Sequence, residues 1–218
     1  MTLLPDKAMD PISKRLAEHY EATFQAHGAT PRGVDWGEDQ SRLSLRYDRM
    51  LDVARAVQDS EWSVLDVGCG FGGLLEHAHA RGMTLTYHGI DMSESMVDWG
   101  RKRFPEARFD CSDVLELAGE NEFDFVICNG ILTQKLETPG LEMDAYANRI
   151  IRQLFRLARK GAAFNVMSTK VNFFAENLYY RNPAELLAWC MTDLTPHVRL
   201  DHSYPLYEFT VYLYKVPQ

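Results

Sequence analysis

Cysteine is scarce in this sequence. Its four thiols, Cys69, Cys111, Cys128 and Cys190, stand far apart and form no C-x-x-C pair. That spacing excludes a disulfide framework and a zinc ribbon. Three of the four lie in or beside apolar runs, where a reduced thiol behaves as a small hydrophobe. No apolar run approaches the ~18 residues of a membrane-spanning helix. The opening "MTLLPDKAMDP" lacks the charged-then-apolar pattern of a secretory signal. The expectation is a cytoplasmic protein with no membrane insertion. Positive charge is short as well: 23 Lys and Arg stand against 31 Asp and Glu, a net charge of -8. Nucleic acid is therefore not an expected partner. The longest basic run, Arg101 to Arg103, points its side chains in different directions around a helix. The seven histidines supply no metal-ligand set, so no metal is expected. Nothing in the composition fixes the oligomeric state.

What the sequence does contain is enough apolar material, 46% of its residues, for the core of a single domain. Met9, Ile12, Leu16, Tyr20 and Phe24 recur at helical spacing, which predicts an amphipathic helix from about Lys7 to Ala26. "HGATPRGVDWG" breaks that regularity. A second helix follows, with Leu43, Tyr47, Met50, Ala54 and Val57 on one face. Residues 1–60 thus read as a helical cap, and residues 61–218 as the core.

From Trp62 strands alternate with helices. "SVLDV", "TLTYHGI", "ARFDC", "FDFVICN" and "GAAFNVMS" are the strands. Helices are expected over "GLLEHAHARG", over "SESMVDWGRKRF" with Ser93 as cap, and along Tyr146, Ile150, Leu154 and Leu157. Such alternation implies an α/β fold with a parallel sheet covered on both faces. Asn182-Pro183-Ala184-Glu185 starts one more helix. "HVRLDH" and "YEFTVYLYK" are then joined so closely that only a hairpin fits, making the last strand antiparallel to its neighbour.

The first strand runs into "VLDVGCGFGG", a G-x-G-x-x-G made by Gly68, Gly70 and Gly73. Such a turn holds a nucleotide-type ligand against backbone amides, but it suits a nicotinamide dinucleotide and S-adenosylmethionine alike. In an open α/β sheet the ligand settles beyond the carboxyl ends of the strands. Asp66, Asp91, Asp113 and Asn129 all stand at such ends. Asp91 is placed to accept the hydroxyl protons of a ribose in either ligand. Three features favour S-adenosylmethionine. Asp66 would repel a pyrophosphate but attract an ammonium group. Asp113 offers a carboxylate to the exocyclic amine of an adenine. Sixty residues precede the glycine strand and an antiparallel hairpin closes the sheet, unlike a lone nicotinamide domain.

Four segments, "VLDVGCGFGGLLEHA", "HGIDMSESMVDWGRKRFP", "FDCSDV" and "FDFVICNGIL", together resemble the class I S-adenosylmethionine-dependent methyltransferases. The "YEFTVYLYK" ending is similar to their terminal strand. The resemblance spans roughly residues 60–218. "HGATPRGVDWG" and "HSYPLYEFTVYLYK" more narrowly resemble small bacterial methyltransferases without an assigned substrate.

This resemblance implies a Rossmann-like fold: a seven-stranded, mostly parallel sheet with an antiparallel C-terminal strand. It also implies S-adenosylmethionine as cofactor and S-adenosylhomocysteine as product. Asp66, Gly68, Gly70 and the backbone around Phe71 would hold the methionyl portion. Asp91 would bind the ribose, Met92 would pack on the adenine, and Ser112, Asp113 and Val114 would line its edge. Asn129 would offer its backbone carbonyl to the methionyl amine.

No Asn/Asp-Pro-Pro-aromatic motif follows the fourth strand, where the chain reads Asn129-Gly130-Ile131-Leu132. This weighs against methylation of a nucleobase amine. No metal-dependent catechol arrangement is present either. A small-molecule acceptor methylated on O or N is the resulting expectation, with a nicotinamide oxidoreductase and a non-catalytic S-adenosylmethionine binder as alternatives. Tyr20, Trp36, Tyr179 and Tyr180 are candidate acceptor-pocket residues. Lys135 and His202, just past strand ends, are candidate catalytic groups.

Overall fold

Aspartates cap both N-terminal helices. The computed structural model describes residues 9–56 and 61–218. The Asp10 carboxylate accepts the Ile12 amide at 2.9 Å, and Pro11 fills the first position of α1 (Pro11–His27), which Gly28 ends at φ 63°. The helix thus starts later than expected: Met9, assigned to its apolar face, precedes the Asp10 cap and is exposed, while Lys7 lies outside the described residues. Asp39 caps α2 (Gln40–Leu51) by accepting from the Ser41 and Arg42 amides. Beyond Leu51 the chain tightens into a 3-10 turn, Asp52–Ala54, rather than continuing as α-helix; Val57 lies outside the described residues.

Among the described residues eight strands form one sheet: β1 (Glu61–Val67), β2 (Thr84–Asp91), β3 (Arg108–Cys111), β4 (Phe123–Cys128), β5 (Ala158–Ser168), β6 (Tyr180–Arg181), β7 (Val198–Asp201) and β8 (Glu208–Tyr214). The order is β3-β2-β1-β4-β5-β8-β7, with β6 beside β5. Only β8 runs against the others, pairing antiparallel with both β5 and β7. The seven strands of the main path and the antiparallel C-terminal strand are those expected. The eighth, β6, is two residues long and pairs Tyr180 with Met167, too short for any periodicity to show. β5 begins three residues earlier than expected because α5 (Gly140–Leu157) passes into it without a loop.

Both faces of the sheet are covered, which is why β4 reads as a continuous apolar run. On one face α5 buries Tyr146, Ile150, Ile151 and Leu154, and Ile12 and Leu16 of α1 join them. On the other, Leu43, Tyr47 and Met50 of α2 pack with Leu74 and Leu75 of α3 (Gly73–Ala80) and Val97 of α4 (Glu94–Arg103). α6 (Pro183–Asp193) contributes the buried Leu186 and Cys190 to the α5 face. The two N-terminal helices therefore straddle the sheet, and the loop between them crosses its carboxyl edge.

Candidate active-site cleft

Strand order reverses between β1 and β4, and a cleft opens at the carboxyl ends of these strands, as geometry requires of a doubly wound sheet. The Gly68 and Cys69 amides both donate to the Ile90 carbonyl, at 2.8 and 3.0 Å, which ties the turn after β1 to the tip of β2. Gly68 (φ 73°) and Gly70 (φ 56°) adopt the left-handed backbone that this turn demands. A side chain on Gly68 would lie 2.6 Å from Ile131 and intrude on the cleft.

Three carboxylates converge on this space. Asp66 is buried, and its Oδ2 accepts the Tyr87 hydroxyl at 2.7 Å. Burial pushes its carboxyl up to about 7; the Tyr87 hydrogen bond opposes that rise and the charge of Asp91 adds to it. Asp91, at the end of β2, accepts the Gly70 amide on Oδ2 and the Ser93 amide on Oδ1, each at 2.9 Å. Burial raises its carboxyl as well, against those backbone bonds. Asp113 caps the 3-10 turn Val114–Glu116 with Oδ1, 2.9 Å from the Leu115 nitrogen. Its Oδ2 is buried without a hydrogen-bond partner, and so is Asn129 Oδ1 at the tip of β4. An orphaned buried acceptor is costly, and both of these belong to residues that line the cleft.

The cap supplies the roof. Leu16, Ala17 and Tyr20 of α1 line the cleft, and Glu21 fastens the helix by accepting from the Ser93 hydroxyl at 2.5 Å and from the Ser95 hydroxyl. Trp36, in the loop between α1 and α2, lies against Gly130, while the Arg46 guanidinium stacks on its ring at 3.8 Å.

Gly130 carries a prediction of its own. Its φ is 99°, and a Cβ there would stand 2.6 Å from Trp36 Cζ2. Gly130→Ala is expected to cost about 2 kcal/mol from backbone strain alone, or roughly 4–8 °C in Tm. A thermal melt showing no change would mean that the chain at Gly130 does not hold this left-handed backbone.

Of the residues singled out in the sequence, Asp66, Gly68, Gly70, Asp91, Met92, Ser112, Asp113, Val114, Asn129, Tyr20 and Trp36 line this one cleft. Five others do not. The Phe71 ring stacks on Phe24 of α1 at 6.3 Å and meets Trp99 edge-on. Tyr179 is buried and donates to Asp144 at 2.6 Å, because its strand-to-helix connection folds back towards α5. Tyr180 accepts the Ala175 amide and packs on Phe174. Lys135 turns its ammonium back to the Leu136 carbonyl at 3.3 Å. His202 is exposed on the β7–β8 hairpin, edge-on to Phe209. Tyr47 and Tyr146 line the cleft unanticipated, since their helical spacing marked them as core. Their tyrosine hydroxyls on otherwise apolar faces are the only signal the sequence offered.

A methyltransferase-domain family matches residues 64–161. "Putative methyltransferase Rv1506c" of Mycobacterium tuberculosis is 32% identical over 156 residues, covering 71% of this chain and 93% of the relative. The chain belongs to the class I S-adenosylmethionine-dependent methyltransferases. Its methyl donor is S-adenosylmethionine and its product S-adenosylhomocysteine; the nicotinamide reading is thereby overturned.

Solved methyltransferases share the fold at low identity. The magnesium protoporphyrin IX methyltransferase of Synechocystis, with bound S-adenosylmethionine, superposes with a TM-score of 0.66 at 19% identity, over 97% of this chain and 100% of that one. The 1,6-didemethyltoxoflavin-N1-methyltransferase of Burkholderia thailandensis does so with a TM-score of 0.64 at 20% identity, over 98% and 94%. Among the described residues of this methyltransferase, no helix is long and apolar enough to cross a membrane.

Proposed function

We propose that this methyltransferase binds S-adenosylmethionine in the cleft at the β1–β4 switch point and methylates an oxygen or nitrogen of a small molecule. One observation carries the reading. Asp113 and Asn129, each with a buried side-chain oxygen that has no hydrogen-bond partner, line the same cleft as Asp66 and Asp91.

The residues present fit the cofactor's donors. Asp66 attracts the methionyl ammonium, beside the Gly68–Gly70 turn. Asp91 accepts from the ribose hydroxyls with the lone pairs its two backbone bonds leave over. Asp113 Oδ2 accepts from the adenine amine, with Met92, Ser112 and Val114 along the ring. Asn129 completes the methionyl side. When bound, S-adenosylmethionine supplies a methyl carbon made electrophilic by its sulfonium.

The protein's part is then to align an acceptor and exclude water, which is worth ~7–11 kcal/mol when geometry is good. Residues 1–60 serve as the cap over a core of residues 61–218. Tyr20 and Trp36 form the acceptor wall. The Tyr20 hydroxyl is a positioning group: burial and the charge of Asp35 hold its proton firmly in place, against a hydrogen bond with Thr133. Lys135 and His202 have no part in this reading. The roofed cleft favours a small acceptor over a macromolecule.

Isothermal titration tests the assignment. The intact protein should bind S-adenosylmethionine, and Asp113→Ala should weaken binding about tenfold, the worth of one charge-assisted hydrogen bond. Unchanged affinity in that variant would overturn the adenine site.

Asp66 adds a pH dependence. Its folded pKa of about 7 lies above the ordinary 3.8, so the free protein retains this proton up to neutrality. Between those values the native state binds more protons than the unfolded chain, and this group's contribution to stability falls as pH rises. Cofactor affinity moves the other way, since only the carboxylate attracts an ammonium group. Affinity should climb by up to ~10-fold per pH unit towards 7 and level off above it. Titrations of Asp66→Asn across the same range should lose that slope.

A further inference from the structure

We infer that the methyl acceptor enters as a neutral or positively charged hydroxyl or amine compound, and that the loaded cleft refuses carboxylates and phosphates. This deepens the S-adenosylmethionine reading above and rests on it.

The ground is the distribution of charge. Among the described residues lining the cleft are three carboxylates, Asp66, Asp91 and Asp113, and no Lys, Arg or His. The basic groups around it are engaged elsewhere. Arg46 lies behind Trp36, with its Nε 2.9 Å from Glu208 Oε1. His19 Nε2 stands 3.0 Å from Asp35 Oδ2. Arg15 donates to Thr138 Oγ1 at 3.1 Å, and Lys135 turns to the Leu136 carbonyl. At neutral pH S-adenosylmethionine contributes a sulfonium, an ammonium and a carboxylate, one net positive charge. Even with Asp66 protonated, two carboxylates face that single charge, and the loaded cleft keeps a negative excess. In a cleft partly shielded from water such an excess acts on any charge that enters more strongly than it would in bulk solvent. The faces of Tyr20 and Trp36 have the same sign preference, because aromatic quadrupoles attract cations.

The reaction of a neutral acceptor is compatible with this field. A bond forms from the acceptor's lone pair to the methyl carbon, and the carbon–sulfur pair remains on sulfur. One unit of positive charge thereby moves from sulfur to the acceptor, which then sheds a proton to water. Acidic walls stabilise that charge at both ends of its path. An anionic acceptor would lose energy on entry, and no residue is placed to compensate.

Charge preference can be measured without knowing the acceptor. A new thiol is placed at the acceptor wall by Tyr20→Cys in a Cys111→Ser background, which removes the exposed native cysteine; the Cys111→Ser parent, which keeps the buried Cys69 at the cleft as well as Cys128 and Cys190, serves as blank, and its rate is subtracted. The protein is saturated with sinefungin, whose amine carries the positive charge in place of the sulfonium. Rates of modification by trimethylammonium-ethyl and sulfonato-ethyl methanethiosulfonate are compared, each normalised to 2-mercaptoethanol. The cationic reagent should be favoured at least about tenfold, with the preference shrinking at high salt. Equal rates, or preference for the sulfonate, would overturn the inference. If Tyr20→Cys does not fold, Trp36→Cys places the thiol on the same wall. A thermal shift with sinefungin on the same proteins separates the two claims. Its absence tells against the cofactor site, while the reagent ratio in unloaded protein still reports the charge of the cleft.

Discussion

Asp91→Ala is expected to lower the affinity for S-adenosylmethionine on the order of 100-fold. The carboxylate is placed to accept two ribose hydroxyls, and charge-assisted hydrogen bonds contribute about 1.5–3 kcal/mol each. Losing both removes about 3 kcal/mol, and each 1.4 kcal/mol is tenfold. The side chain also holds the Gly70 and Ser93 amides, so its loss loosens the glycine turn and the start of α4 together. Asp91→Asn separates these effects, because it keeps an acceptor oxygen while removing the charge. It should bind more weakly than the wild type but melt closer to it than Asp91→Ala. Titration calorimetry of the three proteins decides; equal affinities would remove Asp91 from the site.

The second large effect concerns stability. Glu208 is 1% exposed, and Arg46, itself buried, meets it with Nε at 2.9 and 3.1 Å from its two oxygens. Burial raises the Glu208 carboxyl, and the Arg46 charge pulls it back. The pair links α2 to β8, and Arg46 also stacks on Trp36. Glu208→Ala would leave a guanidinium buried without its counter-charge, a situation that costs about 3–5 kcal/mol, or roughly 10 °C in Tm. The double variant Arg46→Met, Glu208→Leu should be less destabilised than Glu208→Ala, since replacing both charges by apolar groups removes the desolvation penalty. Urea unfolding measures both. A loss under about 1 kcal/mol in Glu208→Ala would show that water reaches the pair.

Several features were readable in the sequence because they rest on local chemistry. Ser93 and Asn182 cap helices where their short polar side chains precede helical periodicity. The glycine turn announces itself because Gly68 and Gly70 need a backbone that other residues avoid. The hairpin of β7 and β8 follows from the brevity of its connection. β6 was hidden for the opposite reason: two residues carry no period, and their pairing with Met167 and Ser168 is set by the path of β5.

The cofactor half of the cleft was visible by the same logic. Asp66, Asp91 and Asp113 stand at strand ends, and parallel strands in one sheet bring their carboxyl ends to one edge whatever lies between. The acceptor half was not. Tyr179 and Tyr180 had the right neighbourhood in the chain, yet Asp144 and Phe174 hold them away from the cleft. Tyr47 and Tyr146 reach it from helices whose faces read only as core. The sequence by itself determined the order of strands and helices, the glycine turn and the acids around it, since each depends on residues a few positions apart. Only the tertiary structure decided which cap side chains close the cleft and which basic groups are kept from it. Those contacts join residues up to 162 positions apart, as with Arg46 and Glu208, and no local pattern encodes them.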